Sequence, residues 1–185
     1  MNSPSTSLII STYNWPEALN LSLLSTKRQS VLPMEVIIAD DGSALETKRL
    51  IQTLQPAFPV PLIHIWHEDL GFRKSIILNN AIGAASGSYI IQIDGDIIIN
   101  RHFIKDHLSL IEECVFVRGT RAHISKDILP VVYRTQKTDF TFFSKGIINR
   151  FNALRLPLLS FLFQNKSNNS RNVRGRNFAF WKSDY

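Results

Sequence analysis

Two aspartates separated by one glycine, Asp94-Gly95-Asp96, are the side chains of this sequence with the clearest chemical use. They follow an apolar run, Tyr89 to Ile93, that is typical of a buried strand. Paired carboxylates are hard oxygen ligands that suit Mn²⁺ or Mg²⁺, and these ions can in turn hold a diphosphate. Asp and Gly are also common turn residues, so the triplet alone fits an ordinary turn. Its position after a strand favours the metal site.

A second acidic segment, Asp40-Asp41-Gly42-Ser43, follows another apolar run. A carboxylate at such a strand end can accept hydrogen bonds from a base or a ribose. The alternative is helix capping, with Asp41 or Ser43 at the start of the next helix. Both roles can hold at once, carried by different residues.

Arg73 is the candidate cation of the sequence, because it stands at a predicted helix start where it could meet a phosphate or a base. An ordinary solvated arginine is the equal alternative. Lys74 is predicted to be plain surface. Tyr13 could stack on a base or belong to the core, and the same core alternative holds for Trp15 and Trp66.

Other catalytic classes find no support in the motifs. The histidines show no metal-ligand spacing: His64, His67, His102, His107 and His123. The sequence has no phosphate-loop, GxGxxG or GxSxG motif, which argues against P-loop NTPases, dinucleotide oxidoreductases and α/β-hydrolases. The single cysteine, Cys114, rules out an internal disulfide and is predicted to be a buried strand residue.

Short apolar runs alternate with helical patterns and position these residues. The predicted strands are 7–11, 35–39, 62–66, 89–93 and 115–117. One predicted helix starts at residue 16, and three others span 44–54, 74–85 and 101–113. This is the βαβ pattern of an α/β fold with a mostly parallel sheet. Ligands of such sheets bind beyond the carboxyl ends of the strands. The polar clusters 12–14, 40–43, 68–73 and 94–96 are therefore expected to meet at one rim.

The charge is uneven along the 185 residues. Eight of the 21 Lys and Arg residues, and none of the 15 Asp and Glu residues, lie between Phe140 and Ser183. A basic end of this kind suggests an anionic partner such as phosphates or a membrane surface. With no membrane-length apolar run and no signal peptide, the sequence favours the cytoplasm.

The ordered motifs resemble those of family 2 glycosyltransferases. Ser7 to Asn14 looks like their first strand, Val36 to Ser43 like their second, and Gly71-Phe72-Arg73 followed by Asn79 to Asp96 like their core. Arg174 to Trp181 resembles their later RGxNxAF/W segment. The resemblance spans Leu8 to Trp181.

The resemblance implies a GT-A fold with helices on both faces of the sheet, a nucleotide-sugar donor and an inverting transfer. The donor would typically be a UDP-sugar, used in surface polysaccharide or lipopolysaccharide synthesis on a saccharide or lipid-linked acceptor. The implied donor-binding residues are Thr12, Tyr13, Asp40, Arg73, Asp94 and Asp96. Asp94 would contact the ribose or the metal, and Asp96 would bind the Mn²⁺ or Mg²⁺ that bridges the diphosphate.

The resemblance also predicts an incomplete chain. In the family an acidic motif follows the RGxNxAF segment and supplies the general base for the acceptor hydroxyl. We expect that base beyond Tyr185, and we expect Asp184 to be structural. Residues 1–124 are predicted to form the nucleotide-sugar-binding core, and residues 125–185 an incomplete, basic, helical or irregular acceptor-side segment of the same domain.

Three interpretations of the basic segment 146–176 stay open. It could be a flap over the acceptor, a peripheral contact with the inner face of the membrane through 146–163, or a solvated appendage. Residues 164–172 are predicted to form a loop.

Two alternative functions also remain: a sugar-phosphate nucleotidyltransferase, and a non-catalytic nucleotide or nucleic-acid binder. The first lacks a glycine-rich opening loop here, and the second leaves the paired carboxylates unexplained, so no nucleic-acid partner is expected.

Overall fold

A mixed, six-stranded sheet forms the centre of the protein in the computed structural model, which describes residues 4–155 and 177–185. The main strands are β1 (Thr6–Thr12), β2 (Glu35–Asp40), β3 (Leu62–Trp66), β4 (Tyr89–Asp94), β5 (Val117–Arg118) and β8 (Asn177–Trp181). They lie in the order β3-β2-β1-β4-β8-β5. Strands β1 to β4 are parallel, whereas β8 runs antiparallel to both β4 and β5.

Helices cover both faces of this sheet, as the sequence predicts. The helices are α1 (Pro16–Lys27), α2 (Leu45–Leu54), α3 (Lys74–Ala84), α4 (Phe103–Ser109) and α5 (Leu129–Thr135). Alternate residues of one strand serve different faces: Leu8 and Ile10 pack with Leu19 of α1, while Ile9 packs with Ile77 of α3. Because both faces are covered, the strands carry apolar runs without regular polar alternation, and polar residues within them, such as Ser7 and Gln92, are buried.

The predictions are accurate for the parallel strands and for α1 to α3, and wrong at the edge of the sheet. The helix predicted over 101–113 shortens to α4, and Cys114 takes a left-handed turn (φ 57°) and is exposed. Cys114 is therefore not a buried strand residue. The predicted strand 115–117 pairs only at its last residue, because the ladder with β8 joins Val117 and Arg118 to Ala179 and Phe178.

The second half of the chain contributes to the same sheet. Strand β8 lies between β4 and β5, so residues after 125 complete the core. Between β5 and β8 along the chain lie α5 and a short antiparallel pair of strands, β6 (His123–Ile124) and β7 (Ile147–Ile148). The division of function at residue 124 stays a prediction. Three parts of the prediction lie outside the described residues: the loop 164–172, residues 156–163 of the segment 146–163, and residues 174–176 of the RGxNxAF motif.

Within the described part of the chain, none of the helices combines the length and the apolar character needed to cross a membrane.

Candidate functional site

The four predicted polar clusters meet at the carboxyl ends of β1, β2 and β4, which confirms the expected rim. The backbone N–H of Asn14 donates to Ser43 Oγ (2.9 Å), so the ends of β1 and β2 are joined. The hydroxyl of Tyr13 donates to Asp69 Oδ2 (2.9 Å), which adds the segment 68–73. Gly42 takes a φ of +95°, and a Cβ there would lie 2.7 Å from Asp69 Cα, so only glycine fits this close approach.

The Asp94-Gly95-Asp96 turn is held against the end of β1. Register pairs Ser11 with Asp94, and the Gly95 N–H donates to the Ser11 carbonyl (2.7 Å). A Cβ on Gly95 would lie 3.0 Å from that carbonyl oxygen and 3.3 Å from Thr12. Gly95 thus lets the turn press against β1, which leaves Asp94 half-buried and Asp96 exposed.

Lys74 forms an ion pair inside the site, so the prediction that it is plain surface is wrong. Its Nζ lies 2.5 Å from Asp94 Oδ1, and the Ser11 hydroxyl donates to the same oxygen at 3.1 Å. Both partners are largely shielded, with exposed side-chain fractions of 28% for Lys74 and 19% for Asp94. The first helical residue of α3 therefore neutralises and orients the first carboxylate of the turn.

The turn offers oxygen ligands that fit Mn²⁺ or Mg²⁺. Among residues 4–155 and 177–185, no group of three or more His, Cys, Asp and Glu side chains could hold a metal by itself. Mg²⁺-type sites usually need only one or two carboxylates, because phosphate oxygens and water complete the shell. Asp94 and Asp96 fit that chemistry: one carboxylate is fixed in place and the other is open to solvent.

Asp40 does not line the cleft, which corrects the donor contact assigned to it. Its side chain is 1% exposed, and both oxygens are engaged: Oδ1 accepts the Ser43 N–H (2.8 Å) and Oδ2 lies 2.8 Å from His64 Nε2. Side chains of a strand alternate between faces, so Asp40 points with Ile38 toward the α1–α2 side. Asp40 therefore stabilises the turn between β2 and α2 from the interior of the protein.

The neighbouring carboxylate, Asp41, ties the end of β2 to the start of α3. Its Oδ2 accepts the Arg73 N–H (3.1 Å) and its Oδ1 lies 2.7 Å from His67 Nε2. The predicted caps of α2 are wrong, because neither Asp41 nor Ser43 makes a capping side-chain bond there. Instead, the Asn14 side chain accepts the Ala44 N–H (2.7 Å).

Arg73 lies immediately before α3 and points into this part of the rim. Its Nη2 donates to the Glu68 carbonyl, while its Nε is buried and makes no hydrogen bond to the described residues. A buried donor without a partner is costly, and a ligand acceptor would remove that cost.

Exposed aromatic rings border the cleft. Tyr13, Trp15 and Trp66 are 52%, 45% and 53% exposed, so none of them is a core residue. The hydrogen bond from Tyr13 to Asp69 raises the pKa of the phenol, and the charge of Asp69 adds to this effect. Thr12, by contrast, is buried. Its carbonyl accepts the Asp41 N–H (3.0 Å), so it links the strand ends through its backbone.

A cavity of about 530 Å³ opens beside the exposed carboxylate of Asp96. Its wall includes Trp15, Arg118 and Tyr133. Burial is the main cause that raises the pKa of Tyr133, and the negative charges of Glu17 and Asp96 raise it further. Asp96 lines this cavity, whereas Asp41 and Asp94 do not, and its size suits a small ligand such as a saccharide unit.

Comparison with known proteins identifies the family. Residues 7–178 match the model of glycosyl transferase family 2, so the chain belongs to that family. It is 26% identical over 108 residues to validoxylamine A glucosyltransferase of Streptomyces hygroscopicus subsp. limoneus, covering 57% of this chain and 23% of that protein. It is 27% identical over 154 residues to the succinoglycan biosynthesis protein ExoO of Rhizobium meliloti, covering 83% of this chain and 41% of that protein.

A solved structure supports the same fold. The mannosyltransferase PcManGT from Pyrobaculum calidifontis, solved with GDP-Man and Mn²⁺, superposes with a TM-score of 0.57 over 88% of this chain and 47% of that one, at 20% identity. The α/β architecture is thus that of a GT-A glycosyltransferase. The chain spans less than half the length of each of these three proteins.

Several functional neighbours escape a sequence-based search. His67 and Lys74 reach the site through contacts with Asp41 and Asp94 on other elements, for which local patterns give no signal. Ser11 could have been found from the strand register, because it lies directly opposite Asp94.

Proposed function

We propose that this chain carries the nucleotide-sugar site of a glycosyltransferase that uses a UDP-sugar. The transfer would invert the anomeric centre and place the sugar on a saccharide or lipid-linked acceptor. The observation that carries the proposal is the meeting of the Asp94-Gly95-Asp96 turn with Tyr13 and Arg73 at one rim. A nucleoside and a diphosphate need such a combination of ring, cation and metal-binding carboxylates.

Each side chain has a role in this proposal that its position permits. Tyr13 offers an exposed ring for the base, and Arg73 offers a buried guanidinium nitrogen that has no hydrogen-bond partner among the described residues. Asp41 is also largely buried, but it contacts the backbone N–H of Arg73, so it takes the place of Asp40 in this proposal as the carboxylate nearest the nucleoside. Thr12 supports the base through the backbone of the β1 end.

The carboxylates of the turn would hold the diphosphate through a divalent cation. Asp96 is the exposed ligand and Asp94 the oriented one. When bound, Mn²⁺ or Mg²⁺ supplies positive charge that stabilises the departing nucleoside diphosphate. The cavity beside Asp96 is the candidate acceptor site.

A role in surface polysaccharide or lipopolysaccharide synthesis is the pathway we propose. It is supported by the similarity to a protein named for succinoglycan biosynthesis. A peripheral position at the cytoplasmic face of the membrane would bring a lipid-linked acceptor to the cavity.

Isothermal calorimetry tests the donor site. UDP should bind this chain in Mn²⁺ and lose affinity at least about tenfold in EDTA, a difference of roughly 1.4 kcal/mol. Asp96→Asn should remove the metal dependence. Asp127→Asn, which changes an exposed carboxylate elsewhere, should leave it intact.

Two outcomes would contradict the proposal. One is UDP binding that is independent of Mn²⁺ in the unmodified chain. The other is GDP binding that exceeds UDP binding under the same conditions, which would keep the fold and overturn the uridine assignment.

A further inference from the structure

Three phenylalanines and two basic residues form an exposed patch on the segment before and after β7. The aromatic–basic patch consists of Phe142, Phe143, Lys145, Arg150 and Phe151. Phe143 is 86% exposed and Phe151 is 78% exposed, which is unusual for two phenylalanines of one segment. None of these five residues belongs to the donor rim, so this surface bears only on the peripheral membrane position proposed above.

The rings form one cluster. The ring centroid of Phe142 lies 5.3 Å from that of Phe143 and 5.6 Å from that of Phe151, and both pairs are edge to face. Phe142 is half-buried and so anchors the two exposed rings to the protein. A contiguous exposed apolar cluster marks an interaction site more often than a single exposed ring does.

The surroundings of the rings are cationic. Lys145 lies two residues from Phe143, and Arg150 directly precedes Phe151. Residues 140–155 contain no Asp or Glu. Within the described ranges, neither Lys145 nor Arg150 forms an ion pair with a carboxylate. The positive charge of the patch is therefore available to a partner.

We propose that the aromatic–basic patch docks on an anionic lipid surface. Phenylalanine rings can enter the boundary between headgroups and acyl chains, and lysine and arginine attract anionic headgroups. Membrane contact was expected for 146–163, whereas this patch begins at Phe142 and needs no residue beyond Phe151.

Other partners fit the patch less well. Successive nucleic-acid bases stack on rings that form a common platform, and here the rings are inclined to each other at interplanar angles of 86° and 64°. A neutral saccharide would leave the positive charges of Lys145 and Arg150 unused. Anionic lipid uses both the rings and the charges and does not require the rings to form a common platform.

Vesicle flotation with the full 185-residue chain tests the proposal. We expect binding to vesicles of phosphatidylcholine with phosphatidylglycerol and little binding to phosphatidylcholine alone. Lys145→Gln with Arg150→Gln should lower the partition coefficient roughly 30-fold, because each charge near such a surface contributes about a factor of five. Phe143→Ser with Phe151→Ser should lower it on both vesicle types.

Matched controls separate the patch from general surface effects. Lys48→Gln with Arg49→Gln removes two charges from the exposed side of α2, and Leu32→Ser with Met34→Ser removes two apolar side chains that are 41% and 48% exposed. Both control variants should float like the unmodified chain. Lys145→Arg with Arg150→Lys should also keep binding, because it preserves the charge.

The proposal is overturned if the patch variants float like the unmodified chain, or if the control variants lose as much binding as the patch variants. It is also overturned if the phenylalanine variant keeps lipid binding and loses binding to an immobilised polysaccharide. UDP binding is measured in parallel and should not change, so a failure here is distinct from a failure of the donor site.

Discussion

The ammonium of Lys74 lies 2.5 Å from Oδ1 of Asp94, the oxygen that also accepts the hydroxyl of Ser11. The first carboxylate of the candidate metal turn is thus neutralised by a residue of this chain before any ion binds. A metal must compete with Lys74 for Asp94, whereas Asp96 has no such competitor among the described ion pairs. Tight binding of the ion then depends on the diphosphate, which supplies the remaining oxygen ligands.

Lys74→Met should therefore raise the affinity for Mn²⁺ in the absence of nucleotide. Removing a cation next to a partly buried carboxylate leaves an unneutralised charge, and we expect an increase of at least about tenfold. Titration of Mn²⁺ followed by electron paramagnetic resonance measures it. Lys74→Arg keeps the charge and should stay near the unmodified affinity. Equal affinities for the Lys74→Met and unmodified chains would mean that Asp94 is not a ligand.

Asp40→Ala should lower the stability of the fold. The substitution leaves the Ser43 N–H and the ring of His64 without their buried partner, and each such loss costs about 1–3 kcal/mol. Urea denaturation should show a fall of about 2–4 kcal/mol in the free energy of unfolding, with little change for Asp127→Ala at an exposed site. Unchanged stability with lost UDP binding would instead restore the direct donor contact first assigned to Asp40.

The sequence predicts the parallel core well because its signals are local. Each of β1 to β4 is a short apolar run, and each is followed by a helical pattern, so spacing alone places them. The place of β8 has no such signal. Its partner β4 lies more than 80 residues earlier, and the antiparallel insertion between β4 and β5 depends on tertiary packing.

The same division separates the predicted from the missed site residues. Asp94 and Asp96 could be predicted to lie together, as candidate ligands, because they share one turn. Lys74 could not, since its partner is fixed by how α3 packs across the end of β4. Asp40 and Asp41 show a further limit: these adjacent carboxylates have different partners, His64 for Asp40 and His67 with Arg73 for Asp41, and the sequence gives no sign of either pairing.

Acid should weaken the fold through His107. Burial lowers the pKa of this imidazole to about 4, although the hydrogen bond to Asn177 and the charge of Asp106 oppose the shift. The unfolded chain binds a proton near pH 6.5, so stability is lost as the pH falls from about 6.5 to about 4 and is constant above that window. The expected loss from this group is on the order of 3 kcal/mol.

His107→Gln isolates this contribution, because the amide can still donate to Asn177. Urea denaturation at several pH values should show a flatter acid limb for His107→Gln than for the unmodified chain. His123→Gln, at an exposed histidine, should leave the limb unchanged. A limb that is equally steep without His107 would assign the acid sensitivity to other groups.

Two glycine substitutions should have different effects: one should weaken UDP binding, and the other should raise the free energy of unfolding. Gly95→Ala places a Cβ 3.0 Å from the Ser11 carbonyl oxygen and 3.3 Å from Thr12, so the turn must move away from β1 and take both carboxylates with it. We expect Mn²⁺-dependent UDP binding to fall at least about tenfold in calorimetry. Gly83→Ala enters open space within α3 and should raise the free energy of unfolding by about 0.5–1 kcal/mol without changing UDP binding. If Gly95→Ala binds UDP and Mn²⁺ as Gly83→Ala does, the ligands of the metal do not come from this turn.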